Sequence, residues 1–235
     1  MSLKNAAGIG AGTPTVSYGA LVRCAGIKKG DVVLVHAAAG GLGVAACQIA
    51  KALGCKVIGT VGSEEKKRVV ERELGGVVDG VVIYGRDGWE KEVVKISGGE
   101  GVDVVYDTVG LVLSSIRCVK FGGKIVIAGF AGREGQMEKV AMNRVLLKNV
   151  VLMGYRYGES GRRKPEDTEK CWEGVEKLMG EGKLWPLIYE TYDGLEKVGE
   201  GLEELKARKV WGKALVEVCQ EEDLTTKEKS GKARL

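Results

Sequence analysis

Unbroken apolar runs alternate with helix-periodic stretches along most of this chain, in a regular order. Val32 to Val35 reads VVLV, the pattern of a strand covered on both faces. Leu42 to Leu53 is apolar nearly all round, with Gln48 and Lys51 as its main polar positions, which predicts a buried helix. A second apolar strand runs on to Thr60. Ser63 to Leu74 predicts a charged helix capped by Ser63, with Glu64 and Glu65 in the first turn, where the helix dipole favours acids. Strand then helix repeats: Val77 to Tyr84, Trp89 to Ile96, Val102 to Tyr106, Leu111 to Val119, Lys124 to Ala128, Val140 to Lys148 and Val150 to Met153. Such alternation predicts an α/β fold with a doubly wound parallel sheet and right-handed crossovers.

Beyond Gly154 the pattern changes to YRYGESGRRKPEDTEK, a polar stretch that reads as a linker. Pro165 suits the first turn of a helix running to about Met179. Asp193 or Gly194 opens another running to about Lys209, before a last strand at Lys213 to Val218. About 60 residues with two helices and isolated strands make a poor independent core, so they must pack on something else. The expected divisions are a leader at 1–13, a sheet domain at 14–154, a C-terminal segment at 155–219 and a tail at 220–235 that is too polar to fold.

The chemistry concentrates in the turn between the first strand and the buried helix, Ala38-Ala39-Gly40-Gly41-Leu42-Gly43. Gly40 would let the backbone approach a diphosphate, Gly41 would relax the turn, and Gly43 would let the helix lie close on the sheet. The free N–H groups of the helix would then face an anion. Ala38 stands at the first position of the dinucleotide-binding G-x-G-x-x-G pattern. The competing reading is therefore a glycine-rich loop in an α/β protein that binds no nucleotide.

Composition narrows the classes. The chain has 235 residues, 44% of them hydrophobic, and no segment approaches the apolar length of a membrane span. Its formal charge of +4 makes no case for nucleic acid. The six cysteines form no C-x-x-C pair, and with His36 as the single histidine a zinc site within this chain is not expected. His36 ends the first strand, where a satisfied buried imidazole competes with a general base. A cytoplasmic protein is expected, and Ala233-Arg234-Leu235 fits a relaxed form of the peroxisomal terminal tripeptide.

The combination of Ala37 to Gly43, Gly59-Thr60-Val61-Gly62-Ser63 with Lys66, Asp107-Thr108-Val109-Gly110, Gly122-Gly123-Lys124 and Gly212-Lys213-Ala214 resembles the medium-chain dehydrogenase/reductase superfamily, in its zinc-independent quinone oxidoreductase branch. The resemblance covers roughly residues 10 to 218. It implies a Rossmann fold in the cofactor-binding portion of such an enzyme. In that family a barrel-like N-terminal domain precedes this portion and carries much of the substrate pocket, so the chain is expected to be a C-terminal fragment.

An NAD enzyme usually places Asp or Glu about 20 residues past the glycine turn, and Thr60 holds that position here. NADPH is therefore the expected cofactor. A 2′-phosphate would find Ser63, Lys66 and Tyr84, and the resemblance supports Lys66 and Tyr84 in that role. Glu64 and Glu65 are the objection, and a merely solvated Lys66 is the competing reading. The resemblance also places Thr15, Ala39, Gly40, Gly41, Leu42, Gly43, Asp107, Val109, Gly110, Gly129, Phe130 and Ala131 around the cofactor. Asp107 serves equally well as a helix cap.

The implied function is hydride transfer from NADPH to a quinone or activated alkene, a small-molecule substrate, with no catalytic side chain assigned. A homodimer through the edge strand near Val150 to Met153 is expected. Two alternatives stand beside this reading: a non-catalytic NADPH-binding sensor domain, and an S-adenosylmethionine-dependent methyltransferase.

Overall fold

A computed structural model describes residues 2–10, 12–132 and 136–218. The tail, Cys219 and the Ala233-Arg234-Leu235 terminus lie outside the described residues. The elements in chain order are α1 (Leu3–Ile9), α2 (Thr13–Tyr18), a π-helical turn (Gly19–Ala25), β1 (Val32–Val35), α3 (Gly41–Ala52), β2 (Lys56–Val61) and α4 (Glu64–Glu73). They continue as β3 (Gly80–Ile83), α5 (Trp89–Ser97), β4 (Val102–Asp107), α6 (Val112–Cys118), β5 (Val119–Ile127), α7 (Met142–Lys148) and β6 (Val151–Gly154). The C-terminal part holds α8 (Tyr157–Arg163), α9 (Pro165–Gly180), β7 (Ile188–Asp193), a 3-10 turn (Leu195–Lys197), α10 (Val198–Lys206) and β8 (Lys213–Glu217).

Six parallel strands form one sheet in the order β3-β2-β1-β4-β5-β6, the doubly wound Rossmann order. Val33 stands at its centre, in register with Val57 on one side and Val104 on the other. Because both faces carry helices, the central strands are apolar throughout, and Val33, Leu34, Val35, Val57 and Val105 have no exposure. Val33, Val35 and Val57 face the α3 side with Ala46 and Ala50, while Leu34, Ile58 and Val105 face Trp89, Val112 and Ile116. The strand order reverses between β1 and β4, which opens a crevice at their carboxyl ends.

Several boundaries differ from the sequence pattern for local reasons. The fifth strand begins at Val119 rather than Lys124, because residues 120–123 form a bulge opposite Asp103. Gly122 has φ 73° there, and a Cβ on Gly123 would lie 3.0 Å from the Asp103 carbonyl oxygen. The expected linker after Gly154 is instead the helix α8, held by Glu159 accepting from Arg162 Nε at 2.9 Å and Arg163 Nε at 2.6 Å. Residues 188–193, left outside any helix by the sequence pattern, form β7 and pair in parallel with β8. The leader contains α1, whose N-cap Ser2 accepts from the Asn5 N–H at 3.2 Å.

The C-terminal segment finds packing surface within this chain. Val175 and Leu178 of α9 and Leu184 bury against Ala45 and Ile49 of α3, with Ile9 of α1 in the same cluster. Tyr18 stacks so closely on Gly174 that a Cβ there would overlap its ring, and the Tyr155 hydroxyl lies over Gly19 in the same way. The first contact docks α2 on α9, and the second lays the residue after β6 on the π-helical turn.

Candidate functional site

The turn after β1 is shaped by one residue in a left-handed conformation, Ala37 at φ 51°. Gly41 was expected to relax this turn. It is instead the first residue of α3, and the non-glycine Ala37 takes the strained conformation. The Gly40 N–H donates back to the Ala37 carbonyl at 2.8 Å, and the first helical bond runs from the Val44 N–H to the Gly40 carbonyl at 2.8 Å. The N–H groups of Gly41, Leu42 and Gly43 thus precede the helical ladder and face the crevice. Gly43 is required by packing: a Cβ there would overlap the Ala37 carbonyl oxygen and lie 2.7 Å from Ala38 Cα. Ala38, in the first glycine position, is fully buried against Gly59.

These residues form one wall of a cleft of about 620 Å³. Thr108, Ala128, Gly129, Phe130 and Ala131, from the ends of β4 and β5, form the opposite wall. Ala131 N–H donates to the Thr108 carbonyl at 3.0 Å, tying these two loops together. Val198, Leu202 and Leu205 of α10 close the cleft from above, with Val210 and Val216 beside them. The sequence reading found both walls but missed this apolar cover, together with Thr13, Ala37, Thr108 and Lys213.

Thr15, Thr60 and Asp107 present no side chain to the cleft. Thr15 is fully buried in α2 and donates to the Gly12 carbonyl at 3.1 Å, while Thr13 lines the cleft in its place. Thr60 is fully buried and its hydroxyl lies 2.7 Å from His36 Nδ1. The strand β2 ends at Val61 without an acid, and Glu64 and Glu65 follow only in the first turn of α4. Asp107 caps the next loop: one oxygen accepts from the Val109 and Gly110 N–H groups at 2.8 Å each, the other from Leu111 at 2.7 Å. Val109 and Gly110 are therefore backbone partners of Asp107.

Lys66, in the first turn of α4, and Tyr84, just after β3, both lie outside the cleft lining, on the β2–β3 side. Both are half-buried: burial holds the Lys66 ammonium below the ordinary lysine pKa and the Tyr84 phenol above its own. The neighbouring Glu65 carboxylate opposes that shift at Lys66, and the charge of Arg208, from the C-terminal segment, is felt at both groups and favours a lower pKa at each. Arg208 carried no signal in the sequence, since it lies far from the glycine turn along the chain. The Tyr84 hydroxyl lies over Gly62, where a Cβ would approach it to 3.1 Å. Ser63 accepts from the Lys66 N–H at 3.2 Å as the N-cap of α4, so its hydroxyl also orients the lysine's backbone.

His36 has both ring nitrogens engaged, Nδ1 with Thr60 and Nε2 with Ser115 Oγ at 2.9 Å, and its edge meets Trp89 at a centroid distance of 5.7 Å. Burial lowers its pKa. It is a satisfied core imidazole. Among the described residues no cluster of His, Cys, Asp and Glu could hold a metal ion, and the five cysteines there are free.

A family model described as zinc-binding dehydrogenase matches residues 41–177. The chain therefore belongs to the medium-chain dehydrogenase/reductase superfamily, of which it contains the cofactor-binding portion. It is 34% identical to an acryloyl-coenzyme A reductase of Sulfurisphaera tokodaii, over 85% of this chain and 54% of that protein. It is 34% identical to quinone oxidoreductase-like protein 2 of Bos taurus, over 92% of this chain and 61% of that one. Among solved structures, an NAD-dependent alcohol dehydrogenase aligns at TM-score 0.76 and 32% identity, covering 93% of this chain and 60% of that one. A mycobacterial protein in complex with NADPH aligns at TM-score 0.77 and 26% identity, covering 88% and 62%. The chain thus spans somewhat more than half the length of each of these relatives. Despite the family description, the donor set described here does not fit zinc, because its one histidine is already bound at both nitrogens.

Proposed function

We propose that this chain binds NADPH and serves in a reductase that delivers hydride from the nicotinamide to an activated carbon–carbon double bond or a quinone. The observation that supports the cofactor choice is that Lys66, Tyr84 and Arg208 lie near the ends of β2 and β3, where β2 itself ends without an acid, although Glu65 stands beside Lys66. A 2′-phosphate fits two cations and a phenol, whereas a ribose diol calls for an acceptor. The diphosphate would lie against the first turn of α3, and the nicotinamide would reach the Thr108 and Gly129–Ala131 wall. When bound, NADPH supplies the hydride. The chain's own part is to hold and orient it and to keep the cleft dry through the apolar face of α10. The substrate class is supported by relatives named as an acryloyl-coenzyme A reductase and a quinone oxidoreductase-like protein.

The same reading includes assembly as a homodimer through β6. Among the described residues that strand pairs with β5 alone, and Val151, Met142, Leu146 and Leu147 are exposed around it.

Calorimetric titration of NADPH and NADH tests the cofactor assignment. NADPH should bind more tightly, and Lys66→Gln should weaken NADPH by about tenfold while leaving NADH unchanged. Equal binding of the two by the unmodified chain would overturn it. Oxidation of bound NADPH by an enone or quinone tests the reaction.

A further inference from the structure

The two walls of the cleft are joined behind its surface by two buried hydroxyls. Ser17, in α2, is fully buried, and its hydroxyl donates to the Leu42 carbonyl in the first turn of α3 at 2.9 Å. That bond uses its only proton. The Tyr106 hydroxyl, 3.3 Å from Ser17 Oγ, therefore donates to the serine. Burial pushes the pKa of the Tyr106 phenol up to about 12, so the group keeps the proton it shares. Neither side chain lines the cleft.

The ends of this link lie at the two walls. Leu42 lines the cleft on the glycine-turn side. Tyr106 is fixed in the middle of the sheet, in register with Val35 and Val126, and its carbonyl accepts from the His36 N–H at 3.0 Å. Two residues on, the Thr108 carbonyl accepts from the Ala131 N–H, and the Gly132 N–H donates to the Val109 carbonyl at 3.1 Å. The position of Tyr106 is thereby passed to the whole of the opposite wall. A phenylalanine and an alanine would fill the same space with no polar group to desolvate, so burial alone does not call for these hydroxyls. A fully satisfied buried network instead selects one arrangement of the elements it joins.

We propose that Ser17 and Tyr106 are positioning residues that set the spacing of the two walls, and so hold the nicotinamide end of the dinucleotide in place while its diphosphate lies on α3. This rests on the dinucleotide reading of the cleft, but on buried residues that touch no part of the ligand. A ligand confined to the α3 wall is indifferent to that spacing. One that bridges both walls depends on it, because each end is held only when the other is already in register.

The test compares NADPH, which spans both walls, with 2′-phospho-ADP-ribose, which lacks the nicotinamide. Tyr106→Phe keeps the ring and leaves Ser17 bonded to Leu42, so no buried donor is stranded. It should weaken NADPH about tenfold, leave 2′-phospho-ADP-ribose unchanged and keep the unliganded melting temperature close to that of the unmodified chain. The fluorescence anisotropy of bound NADPH should fall as the nicotinamide gains freedom. Ser17→Ala strands the Tyr106 donor and should lower the melting temperature, with the same selective loss of NADPH. The double variant should lose no more NADPH affinity than Ser17→Ala, because both changes cut one link. Unchanged NADPH affinity and anisotropy in Tyr106→Phe would overturn the proposal. Equal weakening of both ligands would also overturn it and assign the pair to folding, and equal affinity of the unmodified chain for the two ligands would count the same way. Failure of the unmodified chain to bind either ligand would instead overturn the dinucleotide reading and this proposal with it.

Discussion

The Thr60 hydroxyl donates its proton to Nδ1 of His36, and the direction of that bond follows from the rest of the chain of contacts. Ser115 Oγ donates to the Leu111 carbonyl at 2.7 Å, which uses its only proton. It must therefore accept from His36 Nε2–H at 2.9 Å, which leaves Nδ1 as an acceptor for Thr60 at 2.7 Å. Thr60 is thus committed to the core rather than to the cleft.

Replacing Thr60 by Val removes that donor and leaves a buried ring nitrogen without a partner. We expect a loss of about 1–3 kcal/mol in urea unfolding, with little change in NADPH affinity for the folded fraction. Thr60→Ser should recover most of the loss. Thr60→Asp should destabilise the fold and should not create an NADH preference, because the carboxylate would meet His36 rather than a ribose.

The pH dependence of stability follows from the same imidazole. Its folded-state pKa lies below the ordinary 6.5 because burial opposes the charged form, with Asp107 a weaker opposing influence. The unfolded chain therefore binds a proton near 6.5 that the folded chain refuses. Stability from this source is fully present above about pH 6.5 and falls as pH drops toward the folded pKa, by at most about 1.4 kcal/mol per pH unit. As His36 is the single histidine, urea midpoints between about pH 7.5 and pH 5.5 should show this slope. A His36→Gln variant should show it much reduced.

Asp107 holds three backbone N–H groups with two oxygens. Asparagine can accept with only one of its terminal atoms, so Asp107→Asn should cost about 2–3 kcal/mol. Hydrogen exchange should then quicken at Val109, Gly110 and Leu111 before it changes elsewhere.

Gly43 and Gly41 should differ sharply under alanine substitution. At Gly43 the new methyl would collide with the backbone of the Ala37–Ala38 turn. Gly43→Ala should therefore lose about 1–3 kcal/mol of stability and most nucleotide affinity. At Gly41 the nearest atoms are 3.1 Å away or more and include the flexible end of Lys213. Gly41→Ala should fold well, and a lowered thermal midpoint equal to that of Gly43→Ala would contradict this assignment.

If β6 is the pairing edge of a dimer, a charge on its exposed apolar position should block it. Val151→Lys is expected to shift the species seen by light scattering from dimer to monomer without lowering cofactor affinity.

Much of the sheet was legible because buried parallel strands leave unbroken apolar runs such as Val32 to Val35, and because glycines punctuate the crossovers. The glycine turn was legible for the same reason. What escaped was set by contacts between distant residues. Thr60 looks like a cofactor position by spacing, but its place in the core depends on His36 and Ser115, and strand periodicity alone does not show which neighbours a side chain will meet. Lys213 reaches the glycine turn only because Gly212 and β8 fold back onto it. Helix α8 was readable in principle from Glu159, Arg162 and Arg163 at helical spacing, a signal obscured by its polarity and its two glycines.

The central pairing of β1 with β4 carries a consequence for how the chain acquires its cleft. Val33 cannot find Val104 until three intervening helices and two strands have been laid down. Such long-range closure is slow and comes after local structure. The crevice lies on that seam, so a nascent chain has no nucleotide site until β4 is in place. The cofactor then acts as a late lock, stabilising only the completed sheet and shifting the folding equilibrium by mass action in proportion to its concentration.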